Sequence, residues 1–158
     1  MSIVVSAGSG LVTTVDELSG HAGQELGVTE WSTMTQDRVN TFADVTEDHN
    51  FIHVDPERAK ASPFAGTIAH GYLTVSLLGP ISQQLLRVTD AATGINYGLD
   101  RVRFPAPLRV GARFRGRVQL AEVTELEGGV QVKAVFTIEV EDQDRPALVA
   151  EGLFRYYR

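Results

Sequence analysis

The sequence predicts an α+β domain in which a long antiparallel sheet curls around one buried helix. The first sign is the segment 68–86, apolar nearly all round through Ile68, Ala69, Tyr72, Leu73, Val75, Leu77, Leu78, Ile81, Leu85 and Leu86. A helix with no polar face is a buried helix. The second is that everything from residue 95 onward alternates as strands. The third is size: 158 residues, 43% hydrophobic and 22% charged, suit one domain over 1–158 that buries roughly 70% of its unfolded surface. A sheet that wraps the helix buries both apolar surfaces at once. Its free edges predict a two-fold homodimer.

Along the chain, residues 1–13 are small and weakly patterned and read as a loose arm; Gly8-Ser9-Gly10 lacks the third glycine of a dinucleotide-binding turn. A short helix is expected over 14–26, ended by Gly27, then a short strand from Val28 to Met34. Thr35 is a suitable N-cap, Asp37 suits the positive end of a helix dipole, and Val39, Phe42, Ala43 and Thr46 share one face. A helix over 36–46 results. Residues 47–66, with Pro56, Pro63 and Gly66, form a long irregular excursion with one helical turn near Pro56–Ala61; loops of that length usually carry function or are disordered. The apolar helix comes next, kinked or divided at Gly79-Pro80. Strands are expected at 95–105, 113–120, 130–140 and 147–158, with Gly128-Gly129 turning a hairpin between the middle two.

Composition narrows the function. There is no cysteine, which removes a disulfide scaffold, a thiolate metal site and a thiol nucleophile. Twenty acids against 14 Lys and Arg give a net charge of −6, unlike a nucleic-acid binder. The charge is uneven: residues 1–55 hold nine acids and one base, Arg38. That start resembles neither an export signal nor an organellar targeting peptide. No run of 18 apolar residues is present, so no membrane partner is expected and a cytoplasmic protein is the default.

The chemistry concentrates in Asp48-His49-Asn50-Phe51-Ile52-His53. Three readings compete. His49 and His53, four apart and flanked by acids, would share a metal only on a helix, and the spacing lacks the intervening glutamate of a His-Glu-x-x-His site. Asp and Asn also make turns, leaving the histidines solvated or packed. Finally, Asp48 and His53 suit acid–base work near neutral pH.

Together with Ala69-His70-Gly71-Tyr72-Leu73, this run resembles the paired motifs of the MaoC-like, (R)-specific enoyl-CoA hydratase family, and most closely its nodulation-protein-N-like branch. Leu99-Asp100-Arg101-Val102-Arg103-Phe104-Pro105 also looks like a family strand. The resemblance covers residues 25–158 and implies a hotdog fold, usually dimeric. It implies Asp48 and His53 as the catalytic pair, Asn50 as the residue orienting them, and the Gly71 N–H as the oxyanion donor. Glu47 and Phe51 depart from the wider pattern, which has Gly and Pro there. Glu47 adds a like charge beside Asp48 if both face the site.

The activity this resemblance implies is hydration of a 2-enoyl-CoA to a 3-hydroxyacyl-CoA, the R product being implied too, with no metal and no cofactor. The reverse dehydration in fatty-acid metabolism is the alternative. A hotdog thioesterase ranks lower, because 68–86 holds no Asp or Glu; a non-catalytic acyl-CoA-binding domain is the remaining class. His70 reads as a cap or packing residue, and Tyr72 and Trp31 as core or pocket wall. Six of the twelve arginines fall between Arg101 and Arg117. They suit coenzyme A phosphates, or an exposed sheet face paired with Glu122, Glu125 or the acidic N-terminal region.

Overall fold

The computed structural model describes residues 10–158. Most of the expected arm, residues 1–9, lies outside the described residues, but its end does not: Leu11–Thr13 is a strand, β1. The helix expected over 14–26 is absent. In its place stand one 3-10 turn at Leu18–His21 and the strand β2, Glu25–Val28. Val15 and Leu18 are buried, but Ala22 at the next helical spacing is exposed and Gly20 and Gly23 interrupt the segment, so no apolar stripe sustains a longer helix. The strand expected from Val28 to Met34 shrinks to β3, Ser32–Thr33.

The helix α1 runs Gln36–Thr46, and Thr35 caps it by accepting a hydrogen bond from the Arg38 N–H. Val39 and Ala43 are buried as expected, whereas Thr46 is exposed. The excursion then carries two single-turn helices, α2 (Phe51–Val54) and α3 (Pro56–Ala59), where the sequence suggests one. The apolar segment folds as α4, Gly71–Ser76, and α5, Leu78–Leu85. The division falls at Leu77, just before Gly79-Pro80. Pro80 thereby sits in the first turn of α5, where its missing N–H has no helical partner to lose.

Strands β4 (Leu86–Val88), β5 (Thr93–Arg103), β6 (Arg113–Leu126), β7 (Gly129–Val140) and β8 (Leu148–Tyr157) complete the chain. β1 and β4 pair in parallel, a pairing the sequence pattern does not announce. The main sheet is antiparallel in the order β2-β6-β7-β8-β5, with β3 also on β6. The β6–β7 hairpin turns through Glu127-Gly128, since Leu126 faces Gly129. Val130, Val132, Ala134, Phe136, Ile138 and Val140 are all buried on the inner face of β7. They join Leu73, Leu77, Leu78, Ile81 and Leu85 of the helices in one core. α5 lies directly on β6, because a Cβ at Gly116 would stand 2.7 Å from Ile81 side-chain atoms. Register shifts between Leu120 and Glu122, and twice along β5, bend the sheet over the helices.

Candidate active site

The site forms where the excursion folds back on the start of α4. Glu47 ends α1 in the left-handed region, φ 62°, and is exposed. The chain then turns through Asp48, whose Oδ1 accepts from the Asn50 N–H at 3.4 Å. Asn50 caps α2 by accepting from the Ile52 N–H at 3.3 Å; such a cap is worth about 1 kcal/mol. Phe51 packs under the Arg58 guanidinium, 4.0 Å from ring centre to Cζ. His53, at the third position of α2, turns inward and is buried.

The His53 ring is held in one orientation. Its Nδ1–H donates to the Ile68 carbonyl at 2.8 Å. A carbonyl only accepts, so the proton sits on Nδ1 and Nε2 keeps its lone pair. Burial pushes the His53 pKa below the ordinary 6.5; the Ile68 carbonyl and the Asp48 charge oppose this, and neighbouring His70 adds to it. At neutral pH His53 is therefore a neutral base.

His70, directly before α4, stacks on His53 with ring centroids 3.8 Å apart and planes 27° apart. Its Nε2–H donates to the Asp48 main-chain oxygen at 3.0 Å. A carboxylate oxygen of Asp48 and one ring nitrogen from each histidine all lie within 4.8 Å of one another. Separation alone would suit a metal, but the stacking does not. Imidazole lone pairs lie in the ring plane, so two stacked rings aim theirs side by side, and an ion about 2.0–2.1 Å from both nitrogens would sit far out of plane. The pair considered from spacing, His49 and His53, does not form either. His49 is exposed and bonds Asp44 at 2.9 Å, which raises its pKa.

Gly71 opens α4, and its N–H finds no acceptor among the described residues. A side chain there would meet Phe104, with Cβ 3.1 Å from Cζ, so glycine allows the aromatic ring onto the helix start. Gly71 also lines a cavity of about 300 Å³ walled by Phe64, Ile68, Thr74, Phe104, Leu108 and Ala147, among others. The walls are mainly apolar. Asp48 and His53 do not line it; they adjoin it through Ile68, which holds His53, and through His70-Gly71.

Tyr72, expected in the core or a pocket wall, is 81% exposed. It follows Gly71 in the first turn of α4. Trp31 is half-buried and lies under the Arg115 guanidinium, 4.5 Å from its ring centre. The arginines of β6 take other partners than Glu122 and Glu125. Arg113 pairs with Glu141, Arg115 with Glu139, and Arg117 with both Glu139 and Glu25. Glu25 does belong to the acidic N-terminal region. The cross-strand register decides this, since Arg115 faces Glu139 on β7.

An antiparallel sheet bent over an apolar helix defines the hotdog class. A solved (R)-hydratase from A. caviae involved in PHA biosynthesis has the same fold at a TM-score of 0.69 and 25% identity, over 84% of this chain and 94% of that one. The MaoC-like domain family model matches residues 17–142, and the chain belongs to that family. It is similar to 3-hydroxyacyl-thioester dehydratase Z of Mycobacterium tuberculosis, 49% identical over 90% of this chain and 95% of that protein. It also resembles nodulation protein N of Rhizobium leguminosarum bv. viciae, 46% identical over 87% of each. The chain is a hydratase/dehydratase, a hydro-lyase.

Proposed function

We propose that the chain adds water to a trans-2-enoyl-CoA to give the (R)-3-hydroxyacyl-CoA, with Asp48 and His53 acting on one water. The observation that carries this reading is the His53 ring: Nδ1–H is committed to the Ile68 carbonyl, which leaves Nε2 as an acceptor, and a ring nitrogen of His53 lies within 4.8 Å of an Asp48 carboxylate oxygen. One water bound between them gives a proton to His53 Nε2 while its oxygen bonds to C3. The C2=C3 electron pair moves toward the thioester carbonyl, forming an enolate. The imidazolium, facing Asp48, returns the proton to C2 as the enolate collapses. Hydroxyl and proton thus come from one water, and no electron acceptor or donor is consumed. Neither a cofactor nor a metal enters the balance.

The Gly71 N–H, unused by the fold, suits the enolate oxygen; losing one such donor costs about 2.7–4 kcal/mol in a measured hydrolase. Asn50 orients the pair by capping the turn that carries His53. The apolar cavity beside Gly71 suits the acyl chain. The reverse dehydration of a 3-hydroxyacyl thioester in fatty-acid metabolism uses the same groups, and so belongs to the same reading. We take residues 1–158 as one catalytic domain. Among the described residues the edge strand β5 pairs only with β8, and it exposes Ile95, Tyr97 and Leu99. An open edge of eleven residues that exposes three large apolar side chains supports a homodimer formed across it.

Incubation with crotonyl-CoA tests the reaction. The expected result is loss of the conjugated thioester with no free thiol. Thiol release without hydration would make the chain a thioesterase. Binding with neither signal would make it an acyl-binding domain.

A further inference from the structure

The acid–base mechanism gives His70 no task, yet His70 touches each of its parts. The residue is 2% exposed. Its ring is the surface against which His53 stacks, and its Nε2–H holds the main chain of Asp48. Its carbonyl accepts from the Thr74 N–H at 3.1 Å and from the Thr74 hydroxyl at 3.1 Å, which fixes the first turn of α4. Its own peptide bond supplies the Gly71 N–H. Phe42 of α1 closes the far side, 5.0 Å between ring centres.

A packing role does not account for this. The Nδ1 atom of His70 is buried without a hydrogen-bond partner, alone in that among the buried side-chain nitrogen and oxygen atoms of the described residues. A buried acceptor left unpaired is destabilising, and an apolar ring of the same shape would avoid it. What a phenylalanine could not supply is the N–H to Asp48. We propose that His70 is a positioning residue that registers Asp48, His53 and the Gly71 amide against one another. It sets the gap in which the water sits and does not itself exchange a proton with substrate. The inference rests on the reading of Asp48 and His53 as the acid–base pair.

Two substitutions separate the two contacts. H70F keeps a ring under His53 and removes the donor to Asp48. H70Q keeps a donor of similar reach and removes the stacked ring. In folded protein, each is expected to lower kcat for crotonyl-CoA hydration by about 10- to 100-fold, as an ångström of misplacement can. KM should stay within about threefold, because the acyl cavity is untouched. Among the described residues, the titratable groups that act on His53 are Asp48 and His70. H70Q opens the stacked face to water, so the acid limb of kcat/KM should move up toward the ordinary histidine value. H70F loses the His70 charge as well but keeps that face covered, so its limb should move up by less than that of H70Q.

The 15N NMR titration of the His53 ring reads the same shift without substrate. If the wild type hydrates no enoyl thioester, the functional reading fails while this titration still tests the clamp. Wild-type kcat and wild-type titration in both folded variants would overturn the proposal. So would losses confined to KM. Should H70F fail to fold, H70Q decides alone, since the kcat loss and the limb shift are both required of it.

Discussion

Two regions attract attention in the sequence, the acid–histidine loop at 48–53 and the arginine-rich strand at 113–117, and they resolve in opposite ways. On β6 the charges are closed on one another. Arg113, Arg115 and Arg117 each meet a glutamate at 2.6–2.8 Å, and the guanidinium groups of Arg113 and Arg115 lie over Trp31. Between the loop and the start of α4, polar groups stay open: Nε2 of His53 has no partner among the described residues, and the Gly71 N–H has none either. Exposed charges that satisfy each other add solubility and little stability. Buried polar groups left unsatisfied cost the fold something, and a substrate can satisfy them.

Breaking the open region should therefore be expensive for activity and cheap for stability. H53A removes the proposed base and is expected to lower kcat by about 100- to 10,000-fold, the range for a positioned acid–base group. D48N keeps the shape of the side chain and should fall in the same range, with a far-UV circular dichroism spectrum and melting temperature close to wild type. Folded variants with full activity would move the site elsewhere. G71A comes next. Its Cβ would press on Phe104, which must shift a few tenths of an ångström. The expected loss is about tenfold in kcat, or about 1.4 kcal/mol of transition-state stabilisation.

The pH profile sharpens the comparison further. Burial lowers the His53 pKa, and His53 must be neutral to accept a proton. The acid limb of kcat/KM should therefore lie below pH 6.5, and a limb at or above that value would mean His53 is solvated. The smallest effect belongs to the arginine strand. Burial alone would raise the pKa of Glu139, but hydrogen bonds from Arg117 and Arg115 outweigh it and the net shift is downward. A carboxylate whose folded pKa is depressed stabilises above its unfolded pKa, and loses that contribution as pH falls through the folded value. E139Q should thus leave activity within about twofold and cost at most about 1 kcal/mol at pH 7. Its stability should also fall less steeply below about pH 4.5 than that of the wild type.

The strands are legible in the sequence because their periodicity and their burial agree: all six alternating residues of β7 point inward. The same holds for α1, whose cap, dipole and apolar face coincide. The region before residue 35 is not legible. Only a capping residue and a glycine suggest a helix there, and the buried Val15 and Leu18, followed by Gly20 and Gly23, cannot hold one against the pairing of β2 with β6. Tyr72 misleads because a helix that looks apolar all round can still turn one residue outward at its first turn. In the site, Asp48, Asn50, His53 and Gly71 are visible as a motif, and the structure brings Asp48 and His53 together as their spacing allows. The part of His70 is hidden. Stacking and a main-chain hydrogen bond across 22 residues leave no periodic trace.

At the centre of the proposed chemistry, one water held by Asp48 and His53 supplies both the hydroxyl and the proton added across an enoyl thioester. Product analysis after incubating the protein with crotonyl-CoA in heavy water tests it most directly. The expected product is (R)-3-hydroxybutyryl-CoA carrying one deuterium at C2, with the thioester intact. Free coenzyme A, or the S product, would contradict it.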